Sequence, residues 1–245
     1  MDIKRQYIDV LNQRVDEVYN AQKDKIVKVA HIFGECMDNQ GVVQLFGVKH
    51  AIEFVNELNY RAGGIAQFHK LALQDLMLRK KLSKDADFKT CEAYNDISII
   101  DQLYEIYQMD DRDMFVFVSE AGNEPLVIEW AKRVKQKGQK IVAVVNKKTY
   151  DRVGGTLLDY ADEWLDMMAD DPDLALDING TKFGQIGSTT TDIIAQMITA
   201  ELYNYYIEKH GKAPVLLSAN IKGADVHNNA LTDPFERRIR PWLML

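Results

Sequence analysis

The chain has 245 residues, of which 47% are hydrophobic and 27% are charged, and its formal net charge at pH 7 is −7. These proportions are typical of a globular protein with one large α/β domain or two small ones. The acidic balance argues against a general nucleic-acid-binding protein, because no basic stripe is available to neutralise phosphates. Cys36 and Cys91 lie far apart, a usage that fits a reducing cytoplasm better than a disulfide framework.

The first 40 residues predict helix. Apolar residues recur at helical spacing from Ile3 to Phe33, which is consistent with one long helix or with two in tandem, broken near Lys23 and Asp24. Charged residues are spread throughout this segment, so it is neither a signal peptide nor a membrane span. A helix of this length cannot bury its apolar stripe alone. We therefore expect it to pack across the domain or against the same helix of a second subunit.

The next stretch predicts short strands and helices. Apolar runs at Val42–Phe46 and Ile65–Phe68 indicate two strands, with a short helix over Ala51–Leu58 between them. Residues 69–95 contain helix-like leucines, but no Gly or Pro marks where such a helix would stop. A further helix is predicted over Ser98–Met109, where apolar residues fall on one face.

The clearest pattern is a βαβ unit in the middle of the chain. Met114–Val118 and Ile141–Val145 are apolar runs that predict two buried parallel strands. Between them, the polar loop Ser119–Glu124 leads into an amphipathic helix that starts at Pro125 and ends at Gly138. Such a loop meets a helix N-terminus, where free N–H groups and the helix dipole suit an anion.

The last third of the chain predicts short strands followed by two helices. The strands are predicted at Asp162–Met168, at Leu174–Ile178 and at Phe183–Ile186, the last two joined by a tight Asn179-Gly180 turn. Ser188–Asp192 is predicted to cap a long helix over Ile193–His210, and Asp225–Arg238 is predicted to form the last helix. No repeat or linker divides the sequence, so we expect a single domain over residues 1–245, with 1–40 as a helical segment for packing or dimerisation.

Three polar loops each follow a strand-like run, at Gly47–His50, Ser119–Glu124 and Gly187–Thr190. In an open parallel sheet such loops meet at the carboxyl edge, where ligands bind. Glycines and hydroxyls at helix N-termini suit a phosphate or sulfate, although ordinary helix capping explains the same residues. No Gly-x-Gly-x-x-Gly or Walker-type motif is present, which argues against nucleotide cofactors. We expect no cofactor and no bound metal.

The loops and two further segments resemble the motifs of the sugar isomerase (SIS) domain family, in the single-domain branch related to phosphoheptose isomerase. The resemblance runs over most of the chain in the right order, at Phe46–His50, Asn56–Gly64, Val118–Pro125, Gly187–Thr190 and Gly223–Leu231. It implies a three-layer α/β/α sandwich around a mainly parallel, roughly five-stranded sheet of the flavodoxin or Rossmann-like kind, preceded by the long N-terminal helical segment.

The same resemblance implies what the protein binds. SIS domains bind phosphorylated sugars, as isomerases or as sensor modules, and usually form homodimers with the site near the subunit interface. We therefore expect a phosphorylated sugar or related small anion as ligand, a cytoplasmic homodimer, and neither nucleic acid nor membrane as partner.

Candidate site residues follow from their positions in the motifs. Isomerisation between aldose and ketose needs a base to move a proton between neighbouring carbons. The resemblance implies Glu57 as that base, His227 as an assisting acid or base and His50 as a third candidate. Each also has a simpler explanation, as a helix residue, a helix brace or a loop residue. The implied phosphate ligands are Gly47, Lys49, Ser119, Gly122, Asn123, Ser188, Thr189 and Thr190.

The phosphate loops also depart from the family pattern. Ala51 and Ala121 stand where serines are usual, and Glu120 lies between the two serine positions of the second loop. Each lost hydroxyl would weaken anion binding by about ten- to a hundredfold, whereas Lys49 would compensate as a point charge. The alternative to an isomerase is therefore a non-catalytic phosphosugar-binding, regulatory or interaction protein with an eroded phosphate site.

Overall fold

The computed structural model describes residues 2–82 and 92–239. Cys91 lies outside these ranges. The helices and strands are, in chain order, α1 (Ile3–Asp38), β1 (Val43–Gly47), α2 (Ile52–Leu58), β2 (Phe68–Lys70), α3 (Leu73–Leu78), α4 (Ser98–Ile106), β3 (Met114–Val118), α5 (Pro125–Gln136), β4 (Ile141–Val145), α6 (Lys147–Val153), β5 (Glu163–Asp166), β6 (Leu176–Ile178), β7 (Thr181–Phe183), α7 (Gly187–His210) and α8 (Ala224–Thr232).

Five parallel strands form the central sheet in the order β2-β1-β3-β4-β5. One apolar core lies between one face of the sheet and α1, α2 and α7. A second core lies between the other face and α3, α4 and α5. The strands β1, β3 and β4 are buried along their whole length because helices cover both faces. This arrangement confirms the predicted three-layer SIS-type sandwich.

The βαβ unit is the packing centre of the second core. Trp130 of α5 is fully buried, and its ring centroid lies 4.9 Å from that of Phe46, 6.0 Å from Phe115 and 5.8 Å from Phe117. Pro125 is the first helical residue of α5, as the sequence predicts. Aromatic contacts of this kind join β1 and β3 to one helix, and so fix the strand ends from which the polar loops leave.

The N-terminal segment is one helix of 36 residues. The break considered near Lys23 and Asp24 is absent, because neither residue stops a helix and the preceding Gln22 is anchored. The Gln22 side chain is buried, donates to the Asp166 carbonyl at 2.8 Å and accepts from the Asp166 N–H at 2.7 Å. These two bonds join the middle of α1 to the edge strand β5. The helix therefore packs across the domain.

Several predicted boundaries were wrong by a few residues. The second strand begins at Phe68, and Ile65 instead forms an isolated antiparallel bridge with Val215. The last helix stops at Thr232 and passes into a 3₁₀ turn over Asp233–Phe235, because Pro234 has no N–H with which to continue the α-helix. The Asn179-Gly180 turn is confirmed, with both residues at positive φ between β6 and β7. In the described part of the chain, no helix has the length and apolar character of a membrane crossing.

A buried carboxylate braces the opposite, amino end of the sheet. The Asp113 side chain is fully buried and accepts hydrogen bonds from four donors: Val42 N at 2.8 Å, Gln44 Nε2 at 3.0 Å, Asp110 N at 2.9 Å and Arg238 Nη1 at 2.5 Å. These bonds connect β1, the β3 approach and the segment after α8. Removing the carboxylate would leave a buried guanidinium and two N–H groups without their partner.

We predict that Asp113→Ala lowers the free energy of unfolding by about 3–5 kcal/mol, because it leaves the buried Arg238 charge uncompensated. Urea denaturation followed by circular dichroism measures the change. Asp111→Ala is the matched control, since Asp111 is exposed, and it should change stability by less than about 0.5 kcal/mol. A loss below about 1 kcal/mol for Asp113→Ala would contradict the bracing role.

Candidate functional site

The predicted anion loops do meet at the carboxyl edge of the sheet. Strands β1 and β3 run in register with Gly47 opposite Val118, and Val48 N donates to the Val118 carbonyl at 3.2 Å. This pairing places the loop after β1 beside the loop after β3. Ser119 N in turn donates to the Val144 carbonyl of β4 at 3.0 Å. The convergence follows from parallel pairing, in which all carboxyl ends lie at one edge.

Within the second loop, the chain supplies its own anion. Ser119 is fully buried, and its hydroxyl donates to Glu124 Oε2 at 2.5 Å. Lys49 Nζ lies 2.9 Å from Glu124 Oε1. The Glu124 side chain is only 6% exposed and stands at the N-cap position of α5. Two of the side chains predicted to bind phosphate, Ser119 and Lys49, therefore bind this carboxylate.

Gly122 fixes the shape of this loop, and its backbone N–H binds within the loop. Its N–H donates to Ser119 Oγ at 2.8 Å, so the hydroxyl accepts one bond and donates another. Its φ is +59°, and a Cβ atom here would lie 2.7 Å from the Tyr150 ring. Glycine is thus required both by the backbone conformation and by the close approach of Tyr150. Asn123, the neighbouring candidate ligand, is exposed.

A second carboxylate occupies the start of α7. Asp173 accepts from Ile186 N at 3.1 Å and from Gly187 N at 2.8 Å, where a helix N-terminus favours negative charge. A Cβ atom on Gly187 would lie 2.8 Å from Asp173 Oδ2 and 2.9 Å from Ala169 Cβ. Glycine at this position therefore leaves the space in which the Asp173 carboxylate reaches the backbone.

The prediction that Ser188–Asp192 caps this helix was wrong. The helix begins at Gly187, with the apolar Ile186 at the N-cap position, because the distant Asp173 satisfies the backbone donors there. Thr190 is fully buried, and its hydroxyl contacts the Met167 carbonyl at 2.7 Å and the Gly187 carbonyl at 2.9 Å. Ser188 and Thr189 are half-buried in the first turn. Thr190 thus braces the helix.

Glu120 adds a third negative charge at this edge. Its pKa is raised, mainly because surrounding protein atoms remove solvent from the carboxylate, and also because Asp173 and Glu124 repel its negative charge. His50 and Lys49 oppose this shift. His50 is exposed and lies near enough to Glu120 to act on it electrostatically. At this edge, Glu120 therefore lies within electrostatic reach of two further carboxylates, Glu124 and Asp173.

Glu57 lies where α2 packs against α7. It forms an ion pair with Arg61 and accepts from Gln196 Nε2 at 2.5 Å. Asp192 stands one turn before Gln196, and its Oδ1 is buried with no hydrogen-bond partner in the described part of the chain. The pKa of Asp192 is raised to about 6, first by burial and then by the negative charges of Glu57 and Glu53.

The carboxylates of Glu57 and Asp192 therefore differ in their surroundings, since Glu57 has two donors whereas Oδ1 of Asp192 has none among the described residues. Asp192, with Thr189 and Gln196, lines a shallow groove on the surface of α7. Asp192 follows Gly187 by five residues, or about 8 Å along the helix axis. Sequence reasoning assigned Asp192 to a cap. Its spacing of four residues from Gln196 places both side chains on one helix face, but only the packing of α2 shows that this face meets Glu57.

His227 lies elsewhere in this chain. Its Nε2 is 3.0 Å from the Val215 carbonyl, and it lines a groove with Asp38, Tyr206 and His210. Tyr206 follows Gln196 by ten residues, or about 15 Å along α7. Glu57 and His227 are therefore not brought together within one chain. Within residues 2–82 and 92–239, no group of three or more His, Cys, Asp or Glu could hold a metal ion.

Comparisons with known proteins agree on the family. A family model described as the SIS domain matches residues 6–146. UPF0309 proteins of Caldanaerobacter subterraneus and Thermoanaerobacter pseudethanolicus are 28% and 29% identical to this chain, over 96% of it and 98% of each relative. A solved structure from Bacteroides fragilis, called a putative phosphosugar isomerase involved in capsule formation, aligns with 82% of this chain and 88% of its own length, with a TM-score of 0.55 and 13% identity. That likeness shows a shared fold.

We predict that Asp192→Asn changes how stability depends on pH. The folded-state pKa of about 6 lies above the ordinary aspartate pKa of 3.8, so the folded protein holds this proton where the unfolded chain has lost it. The free energy of unfolding therefore falls as pH rises from about 4 to 6. After allowance for partial exposure, we expect this loss to be about 1–2 kcal/mol smaller in Asp192→Asn.

Urea denaturation of both proteins at pH 4 and pH 7 measures the difference. Asp225→Asn, at an exposed position, is the matched control and should follow the wild type. Parallel pH profiles for wild type and Asp192→Asn would show that Asp192 has no raised pKa.

Proposed function

Because the chain belongs to the SIS domain family, we propose that it binds a sugar derivative at the carboxyl edge of the sheet and acts as an aldose–ketose isomerase. The observation that carries this proposal is the placement of Glu57 against α7, beside Asp192 and the groove that Asp192 lines. A phosphorylated sugar, as the sequence predicts, and an unphosphorylated sugar both fit this general assignment.

The two carboxylates suit the two proton transfers of the reaction. Glu57, held by Arg61 and Gln196, is favoured as the base that removes the C–H proton beside the carbonyl and returns it to the neighbouring carbon. Asp192, with its raised pKa, is favoured as the acid that gives a proton to the carbonyl oxygen and then, as the carboxylate, takes one from the adjacent hydroxyl. Two carboxylates in different surroundings commonly divide such roles.

The remaining parts of the assignment concern assembly and location. We propose a single SIS domain over residues 1–245 and a cytoplasmic homodimer with the site near the subunit interface. Exposed apolar side chains on α1, at Ile3, Ile8 and Tyr19, support a contact between subunits. A second subunit would also offer a route for His227 to approach Glu57, since the two lie apart within one chain. His50 remains a third candidate for proton transfer.

A non-catalytic sugar-binding or regulatory protein is the second candidate. One observation favours it: two of the three predicted phosphate loops bind the protein's own carboxylates, Glu124 and Asp173. The position of His227, in a different groove from Glu57, is a further point in its favour. Loss of ligand donors would preserve the fold while reducing turnover.

We predict that Glu57→Gln lowers isomerase turnover by at least about a hundredfold, because an amide cannot accept the C–H proton. The assay incubates the protein in deuterated water with aldoses, ketoses and their phosphates, and follows by NMR the loss of the C2 proton signal of an aldose or of one C1 proton signal of a ketose. Glu53→Gln removes an exposed carboxylate from the same helix and should retain turnover within about threefold.

Equal rates for Glu57→Gln and wild type would refute the base assignment. If wild-type protein binds a sugar but exchanges no carbon-bound proton in any compound, the non-catalytic candidate is correct instead. Circular dichroism of each variant confirms that a lost activity does not reflect a lost fold.

A further inference from the structure

Several of the donors that would hold a phosphate at this edge are already engaged. The Ser119 hydroxyl and the Lys49 ammonium bind Glu124, and the backbone N–H groups of Ile186 and Gly187, at the start of α7, bind Asp173. A phosphate at either position would have to replace a bound carboxylate. It would then expel that carboxylate into surroundings that already hold Glu120.

The charge balance of the edge opposes a phosphate as well. The Glu120 carboxylate is repelled by Glu124 and Asp173, and Lys49 and His50 act in the opposite direction. A phosphate monoester at neutral pH carries up to two further negative charges. Like charges a few ångströms apart repel strongly where solvent is restricted.

Both carboxylates fit their positions closely. Glu124 is 6% exposed. The loop around it is held by Gly122, whose N–H donates to the Ser119 hydroxyl oxygen. Asp173 reaches the backbone in the space that the absence of a side chain at Gly187 leaves. The two sites belong to separate loops and separate helices, and in each the anion position is filled from within the chain.

We infer that the sugar bound at this edge carries no phosphate group, and that Glu124 and Asp173 take the places that a phosphate would fill. This inference rests on the proposed sugar-binding function and narrows its substrate class. The sugar hydroxyls would then contact the groove beside Asp192 and Glu57, while the two carboxylates keep the loops in shape and exclude anionic ligands.

Two arms of one binding experiment test the inference. The first follows the melting temperature with inorganic phosphate, against sodium chloride at equal ionic strength, for wild type, Glu124→Gln, Asp173→Asn and the double variant. The second uses titration calorimetry with matched pairs of a sugar and its phosphate ester, for example fructose with fructose 6-phosphate and glucosamine with glucosamine 6-phosphate. Glu129→Gln, on the same helix as Glu124, is the control for loss of one charge.

We expect no phosphate-specific stabilisation of the wild type or of Glu129→Gln, and a measurable one in the double variant. Within a matched pair, we expect wild type to bind the unphosphorylated sugar at least about tenfold more tightly than its phosphate ester. This ratio of affinities should be smaller in each single variant. If phosphate stabilises wild type as much as the double variant, or if the phosphate ester binds more tightly, the inference is wrong and the sugar-binding proposal stands. If neither the free sugars nor their phosphate esters bind, the proposed function fails. The melting temperatures with inorganic phosphate then still decide whether the carboxylates exclude phosphate.

Discussion

The contact on which the proposed site depends is the one between Ser119 and Glu124. The buried hydroxyl donates to the carboxylate and accepts from Gly122 N, while Lys49 joins the same carboxylate from the loop after β1. One side chain thereby fixes the start of α5, the turn after β3 and the neighbouring loop. A buried charge is tolerated here because it is paired and hydrogen-bonded.

Asp173 plays the same role at the start of α7, where a carboxylate of the chain accepts hydrogen bonds from the loop backbone. Its carboxylate satisfies the first N–H groups of α7, and α7 carries Asp192 and Gln196 toward α2 and Glu57. Asp173 therefore holds the start of α7, the helix that lines the groove. This explains how the chain keeps the SIS fold while its phosphate loops depart from the family pattern at Ala51 and Ala121.

The fold could be predicted from the sequence because its signals are local. Strands buried on both faces appear as unbroken apolar runs, and Met114–Val118 and Ile141–Val145 are such runs. The second strand was misplaced because Ile65–Phe68 is more apolar than the observed strand, Phe68–Lys70. The bridge from Ile65 to Val215 joins residues distant in sequence. The sequence identifies the loops but not the carboxylates that bind in them, since no local pattern shows that Asp173 reaches Gly187. Nor does a local pattern show that Asp192 faces Glu57.

A crystal structure of the protein with a sugar phosphate at high concentration would show whether the carboxylates or a phosphate occupy the two loops. We expect Glu124 Oε2 to stay within hydrogen-bond distance of Ser119 Oγ, Asp173 to stay on the N–H of Gly187, and no phosphate density to appear at either place. Phosphate density between Ser119 and Lys49, with Glu124 turned out of the loop, would contradict the account.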